Sequence, residues 1–339
     1  MKVMQIMGGS GEGGLEKHVV ELSNEMSKHC DVVVVAHEKY KDRFVDDVEF
    51  VPLDLSKSRR SLSLLYKLLK IVQSHKPDIV HAQANKAGLM VASIRRFLPC
   101  KTAVTIHNLK KNLNFTKYFD LSIGVSKGVS QQLTGDNRIT TIYNGINKPD
   151  VTGNQLHLPD FSDSELPLIL AVGRLVPAKG FDVLLEAWLG VEANLLIAGE
   201  GPDRAELETL IERSDHLQKH VKLLGNRSDI SKLIERAELV VISSRREGFS
   251  YVFSETLLSR TPVISTDVPI PNEILPSEYI CPVECSDSLQ KMINQTLSCR
   301  DQLQERFQPI FDYADGHLQI DNMVQSSLSE YRTVLGLGS

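Results

Sequence analysis

No apolar run in this 339-residue chain approaches the roughly 20 residues that a membrane-spanning helix requires. The opening residues lack the basic segment and long apolar stretch of a secretory signal, so export is not expected. Cysteine is scarce: Cys30, Cys100, Cys281, Cys285 and Cys299. Only Cys281 and Cys285 stand close, and no second pair or neighbouring histidine completes a zinc site. Free thiols in a reducing cytoplasm are expected. Aromatic residues are 6% of the chain, and the basic residues are not interleaved with them in a recognisable module, so nucleic acid is not an expected partner. Short repeats and low-complexity tracts are also missing.

What is present is the composition of a globular chain. Hydrophobic residues make up 42%, enough for two α/β domains with separate cores. The charged fraction of 24% is ordinary and argues against disorder. The net charge of −5 conceals an asymmetry. Residues 1–149 hold 22 Lys and Arg against 14 Asp and Glu, and the remainder holds 16 against 29. Halves of opposite sign imply domains that face different partners.

Apolar strands alternate with helical stretches in both halves. "KVMQIM", "DVVVVA", "VEFVPL", "IVHAQA", "TAVTI", "LSIGV" and "ITTIY" read as strands of the first half. "LILAVG", "NLLIAG", "VKLLG", "LVVIS" and "PVIST" read as strands of the second. Such alternation predicts parallel sheets covered on both faces. Residues 149–167 are rich in Pro, Asp and Ser without apolar period, and predict a linker. The expected class is α/β, with two tandem Rossmann-like domains over 1–150 and 151–317 and a final amphipathic helix within 318–339.

Ligands of open α/β sheets bind beyond the carboxyl ends of the strands, so the residues after each strand matter most. After the first strand, Gly9-x-Gly11-x-x-Gly14 spells a dinucleotide fingerprint, with Glu38 available as a ribose acid. After "LILAV", Arg174 and Lys179 flank a proline turn that enters a helix, an arrangement suited to a diphosphate. A solvated loop with two surface cations is the alternative. After "ELVVISS", Glu247 precedes Gly248-Phe249-Ser250, and Glu255 follows eight residues later inside a helix. Two carboxylates so placed suit two sets of hydroxyls on one ligand, a sugar ring and a ribose. His107 ends "AVTIH"; a lone histidine in such a place is more often structural than catalytic.

"GGLEKHVVEL", "VGRLVPAKGFDVLLEAW", "LLIAGEGPDRAELE" and "LLGNRSDISKLIERAELVVISSRREGFSYVFSETLLSRTPVISTD" together resemble the retaining glycosyltransferases of the GT-B fold. More narrowly they resemble the family four-like enzymes that build bacterial lipopolysaccharide, capsule and other surface glycans. The resemblance covers most of the chain and is strongest over 168–275. It implies two Rossmann-like domains whose parallel sheets face a central cleft, and a last helix that crosses back to the first domain. Gly13 and Gly14 are similar to the glycine loop that approaches the donor phosphates. Arg174 and Lys179, beside Gly173, resemble the pair that neutralises the departing diphosphate. Glu255 resembles the carboxylate that holds the ribose. Glu247 resembles the one that meets the donor sugar, with backbone N–H groups of Gly248, Phe249 and Ser250. His107 is similar to the histidine beside the reacting sugar, and Leu224 and Gly225 to the segment that meets the base.

The implied donor is a nucleotide sugar, UDP-linked hexose or N-acetylhexosamine before GDP-mannose, and the acceptor a glycan or glycolipid. No Asp-x-Asp occurs anywhere in the chain, so no metal and no further cofactor is expected. The chain departs from the family at Val268-Pro269-Ile270-Pro271, where a Gly-Gly turn is usual, and at Ser250-Tyr251. Residues 57–76 combine basic ends with Leu62, Leu65, Leu68, Leu69 and Val72, and Arg95, Arg96, Lys110 and Lys111 add charge. This is either a face for anionic inner-leaflet lipid, with peripheral placement on the cytoplasmic membrane, or an ordinary half-buried helix with a basic edge. A nucleotide-sugar epimerase of the same fold, a non-catalytic sugar-nucleotide-binding subunit and an NAD-dependent dehydrogenase are the competing readings.

Overall fold

The computed structural model describes residues 1–9, 11, 13–108, 112–148, 156–161 and 165–338. Most of the expected linker, together with Lys110 and Lys111, lies outside the described residues. The chain divides into two compact units, Met1–Ile146 with His317–Ser339, and Asn147–Gly316.

The first unit is built on β1 (Lys2–Met7), β2 (Asp31–Ala36), β3 (Val48–Pro52), β4 (Ile79–Gln83), β5 (Lys101–Ile106), β6 (Leu121–Gly124) and β7 (Arg138–Thr141). All pair in parallel, in the order β3-β2-β1-β4-β5-β6-β7. The run Val32–Ala36 is buried throughout, because helices cover both faces and leave no solvent side to alternate with. Those helices include α1 (Gly14–Met26), α2 (Leu62–His75), α3 (Ala84–Ile94) and the single turn α4 (Lys127–Ser130). In α2 the buried stripe is Leu64, Leu68 and Val72. Leu62, at the helix start, is 82% exposed and takes no part in that core.

The second unit carries β8 (Leu168–Val172), β9 (Asn194–Ala198), β10 (Val221–Gly225), β11 (Leu239–Ile242), β12 (Val263–Thr266) and the two-residue β13 (Ile280–Cys281). They form a parallel sheet in the order β10-β9-β8-β11-β12-β13. Its helices are α5 (Phe181–Ala187), α6 (Arg204–Glu212), α7 (Asp215–His220), α8 (Ile230–Arg236), α9 (Tyr251–Leu258), α10 (Pro271–Ile274), α11 (Ser286–Leu297) and α12 (Leu303–His317). Trp188, fully buried after α5, donates its indole N–H to the Ala193 carbonyl at 3.2 Å. In each sheet the winding reverses once, between β1 and β4 and between β8 and β11. Those two points are where this topology opens a crevice for ligands.

The last helix, α13 (Ile320–Leu335), belongs to the first unit. Its Met323, Val324, Leu328 and Tyr331 join Val19, Leu22 and Met26 of α1 in one buried cluster. The chain entering α13 is fixed by Ile146, whose N–H donates to the Leu318 carbonyl and whose carbonyl accepts from Ile320, each at 3.0 Å. A Cβ on Gly145 would lie 2.3 Å from the Gln319 carbonyl oxygen, so Asn144-Gly145 is docked against this crossing.

Candidate active site

The second unit's switch point is shaped by a glycine. Pro177 opens a short turn, Pro177–Lys179, after β8, and Gly180 follows with φ of 63°. A Cβ on Gly180 would stand 2.2 Å from the Ser243 carbonyl oxygen at the end of β11. Only glycine lets the turn seat there. The contact carries Lys179 to the loop after β11, where its Nζ donates to Glu247 Oε1 at 2.5 Å. Ser244 Oγ donates to the same oxygen at 2.7 Å, and Ser243 Oγ to the Lys179 carbonyl at 2.9 Å. The Glu247 side chain is 9% exposed, so this is a charge pair largely removed from water. Such pairs hold geometry tightly, and removing one partner strands the other. The ammonium has two further protons to offer after its bond to Glu247.

Arg174, two residues beyond β8, is exposed and forms no ion pair among the described residues. Gly173 lies beside the Lys179 stem, with a Cβ position 3.3 Å from Lys179 Cε. Arg245 was not anticipated from sequence. It grips Asp182 of α5 through two bonds of 2.9 and 2.7 Å, reaches Glu284 at 2.9 Å and donates to the Pro177 carbonyl at 2.7 Å. Burial, the largest single influence, raises the Asp182 carboxyl, yet the Arg245 hydrogen bonds and charge together with backbone N–H bonds of Asp182 and Val183 outweigh it and hold the group below its usual range. Arg245 thereby clamps the turn that carries Lys179. The doubled arginine before Glu247 was the available signal.

Gly248, Phe249 and Ser250 lead into α9, and buried Ser250 caps it by accepting the Phe253 N–H at 3.4 Å. The Phe249 and Tyr251 rings meet edge to face, centroids 5.2 Å apart. Glu255 is half-buried in the second turn of α9. Leu224 and Gly225 end β10, where the Gly225 carbonyl accepts the Gly199 N–H at 2.9 Å. At the departure from the family pattern, buried Ile270 adopts φ of 80° and ψ of −64°. A β-branched residue there is strained, so the loop keeps a glycine-like backbone without the glycine.

In the first unit, Gly13 is extended, with φ of −179°, and immediately precedes α1. Gly14 is the first residue of that helix. Gly9 takes φ of 154°, a conformation that favours glycine. The Gly11 carbonyl is tied down by the Tyr40 hydroxyl at 2.5 Å.

His107, just after β5, is 8% exposed and sits in a buried polar network. Gln83 Nε2 donates to Gln5 Oε1 at 2.9 Å, which turns Gln83 Oε1 toward His107 Nε2, also at 2.9 Å. His107 Nε2 therefore carries the proton and Nδ1 the lone pair. The His18 ring of α1 meets His107 edge-on at 4.6 Å. Burial, then the neighbouring His18 and His81, hold His107 well below the usual histidine range, so it is neutral. Burial lowers His18 to about 4 and His81 to about 3.

Residues 12–148 match the family Glycosyltransferase Family 4, and residues 159–309 match Glycosyl transferases group 1. An uncharacterized glycosyltransferase of Methanocaldococcus jannaschii is 28% identical over 288 residues, 79% of each chain. The amylovoran biosynthesis glycosyltransferase AmsD of Erwinia amylovora is 25% identical over 324 residues, covering 89% of this chain and 91% of its own. Among solved structures, Anabaena Alr3699/HepE in complex with UDP and glucose superposes with a TM-score of 0.79 at 18% identity, over 98% of this chain and 100% of that one. With its two parallel sheets and these matches, the chain has the GT-B fold, its first half similar to Glycosyltransferase Family 4 and its second half to Glycosyl transferases group 1.

Proposed function

We propose that this chain moves a sugar, with retention, from a UDP-linked hexose or N-acetylhexosamine to a glycan or glycolipid acceptor in bacterial surface-polysaccharide synthesis, lipopolysaccharide or capsule, at the cytoplasmic side of the membrane. The observation that carries the reading is the Lys179–Glu247–Ser244 cluster beside exposed Arg174 at the second sheet's switch point. The amylovoran relative supports the polysaccharide assignment, and the Anabaena complex with UDP and glucose supports the donor class.

Breaking the glycosyl–phosphate bond leaves negative charge on the nucleoside diphosphate and positive charge on the sugar. Arg174 and Lys179 meet the diphosphate, each charge-assisted bond contributing on the order of 1.5–3 kcal/mol. Glu247 keeps Oε2 for a sugar hydroxyl while Oε1 is engaged, Glu255 takes the ribose, and Leu224–Gly225 meet the base. Backbone N–H groups of Gly248, Phe249 and Ser250 add donors at the start of α9, and Gly13–Gly14 approach the phosphates. His107 offers its Nδ1 lone pair to a hydroxyl. The cations do the work that a metal does elsewhere, so turnover proceeds without one.

A thermal-shift screen of UDP- and GDP-linked sugars in EDTA tests this. A donor at 100 times its Kd stabilises by about 2.7 kcal/mol. We expect a UDP-sugar to raise the midpoint in EDTA, and Arg174→Ala to weaken donor use by roughly 10²–10³ in rate. A shift that appears only with Mg²⁺ or Mn²⁺ would overturn metal independence. No shift with any nucleotide sugar would overturn the function.

A further inference from the structure

We propose that the cavity beside His107 holds the phosphate of a phosphate-bearing acceptor. The inference rests on the glycosyl-transfer reading and deepens it by naming the acceptor's chemical class. The cavity, of about 540 Å³, is walled by the loop after β3, the first residues of α3, and His107. Among the described residues its charged lining is of one sign: Lys57, Arg59 and Lys86. Ser58 and Asn85 add neutral hydrogen-bonding groups, and no carboxylate among the described residues lines the wall.

The cations are available. Lys57 and Arg59 are exposed and enter no ion pair among the described residues. Asp54, whose carboxyl lies in the field of Lys57, is bound to the Ser56 N–H at 2.9 Å and stands outside the lining. Lys86 Nζ donates to the Ser56 carbonyl at 2.8 Å, which draws the loop over the start of α3 with two ammonium protons left. Three cations around one cavity repel each other until an anion enters. A phosphomonoester, at about −1.5 to −2, matches them better than a single carboxylate. His107 forms a neutral inner wall and adds no repulsion. The volume is that of a small-molecule site, larger than a phosphate group, and leaves room for the moiety that carries it.

The test is titration of the full chain, saturated with UDP, against inorganic phosphate, in the wild type and in the double variant Lys57→Gln, Arg59→Gln. Both substituted residues are exposed, and the variant keeps the Lys86–Ser56 bond, so the fold is spared. UDP affinity is measured in the same proteins. A parallel arm compares sedimentation with phosphatidylcholine vesicles containing phosphatidic acid or, at equal fraction, phosphatidylserine. Phosphate binding that weakens at least about tenfold in the variant, with UDP affinity unchanged, supports a soluble phosphate-bearing acceptor. No phosphate binding, but variant-sensitive preference for phosphatidic acid over phosphatidylserine, supports a lipid-borne one. Binding that the variant leaves unchanged, or no binding in either arm, overturns the proposal. Failure of UDP to bind overturns the donor reading instead, and the comparison of variant with wild type still decides the cavity.

Discussion

His81 lies between the Tyr331 hydroxyl at 2.5 Å and Thr105 Oγ1 at 2.7 Å, both ring nitrogens engaged. His18, equally buried, has neither ring nitrogen in a hydrogen bond of good geometry, and the neighbouring Asn144 side chain only weakly offsets the burial. Burial holds both histidines below the ordinary 6.5, to about 4 for His18 and about 3 for His81. The unfolded chain titrates near 6.5, so below that pH it binds protons that the native state refuses. Stability is therefore full above about 6.5 and is lost as pH falls toward the native values. Each histidine adds a slope of at most about 1.4 kcal/mol per pH unit. Urea midpoints at about pH 7.5 and about pH 5 should show this loss. His18→Phe should retain most of the stability at the higher pH, since only the poorly aligned contact with Asn144 is lost, and should flatten the decline by about one proton. An unchanged slope in that variant would show that His18 is not the group that titrates.

Helix α13 is the element that completes the first unit, through Met323, Val324, Leu328 and Tyr331 against α1. Leu328 is 2% exposed, so Leu328→Ala should cost about 2–5 kcal/mol in urea unfolding. Hydrogen exchange should report the loss in β1 and β4 while β8 and β9 keep their protection, because α13 belongs to the other unit. The apolar strands and most helices were legible because continuous Val, Ile and Leu runs have one good solution in a parallel sheet. Helix α12 was not, since Pro309 lies inside it and interrupts the pattern that announces a helix. β13 is two residues long and carries no period at all. At the site, Arg174, Lys179, Glu247 and Glu255 could be picked out because they follow strands. The histidine network could not, since its members join β1, β4, β5, α1 and α13 only in three dimensions. Gln5, His81 and Gln83, polar groups inside apolar strands, were its one local trace. Lys179 and Glu247 stood 68 residues apart, and only the close seating of Gly180 makes them a pair.

Across the whole molecule, the basic first half and acidic second half predict where contact with an anionic surface begins. Among the described residues no helix is long and apolar enough to cross a membrane. The start of α2 is suited to surface contact. Leu64, Leu68 and Val72 are spent on the core, while Leu62 and Tyr66 are 82% and 61% exposed. Lys70 lies over the Tyr66 ring at 5.6 Å, and Lys57, Arg59 and Arg60 precede the helix, exposed. A basic residue near an anionic leaflet contributes about 1 kcal/mol, and the attraction fades beyond a Debye length of about 10 Å at 0.1 M salt. Four or five such residues therefore suffice for reversible binding at low salt and little at high salt. In sedimentation with phosphatidylglycerol-containing vesicles, the protein should pellet at low ionic strength and be released by salt, while phosphatidylcholine alone leaves it in solution. Leu62→Ser with Tyr66→Ser should weaken the pelleting without altering its salt dependence, because it removes apolar insertion and leaves the charges. If the double variant pellets like the wild type, charge alone makes the contact. Equal pelleting with both vesicle types would remove the electrostatic account altogether.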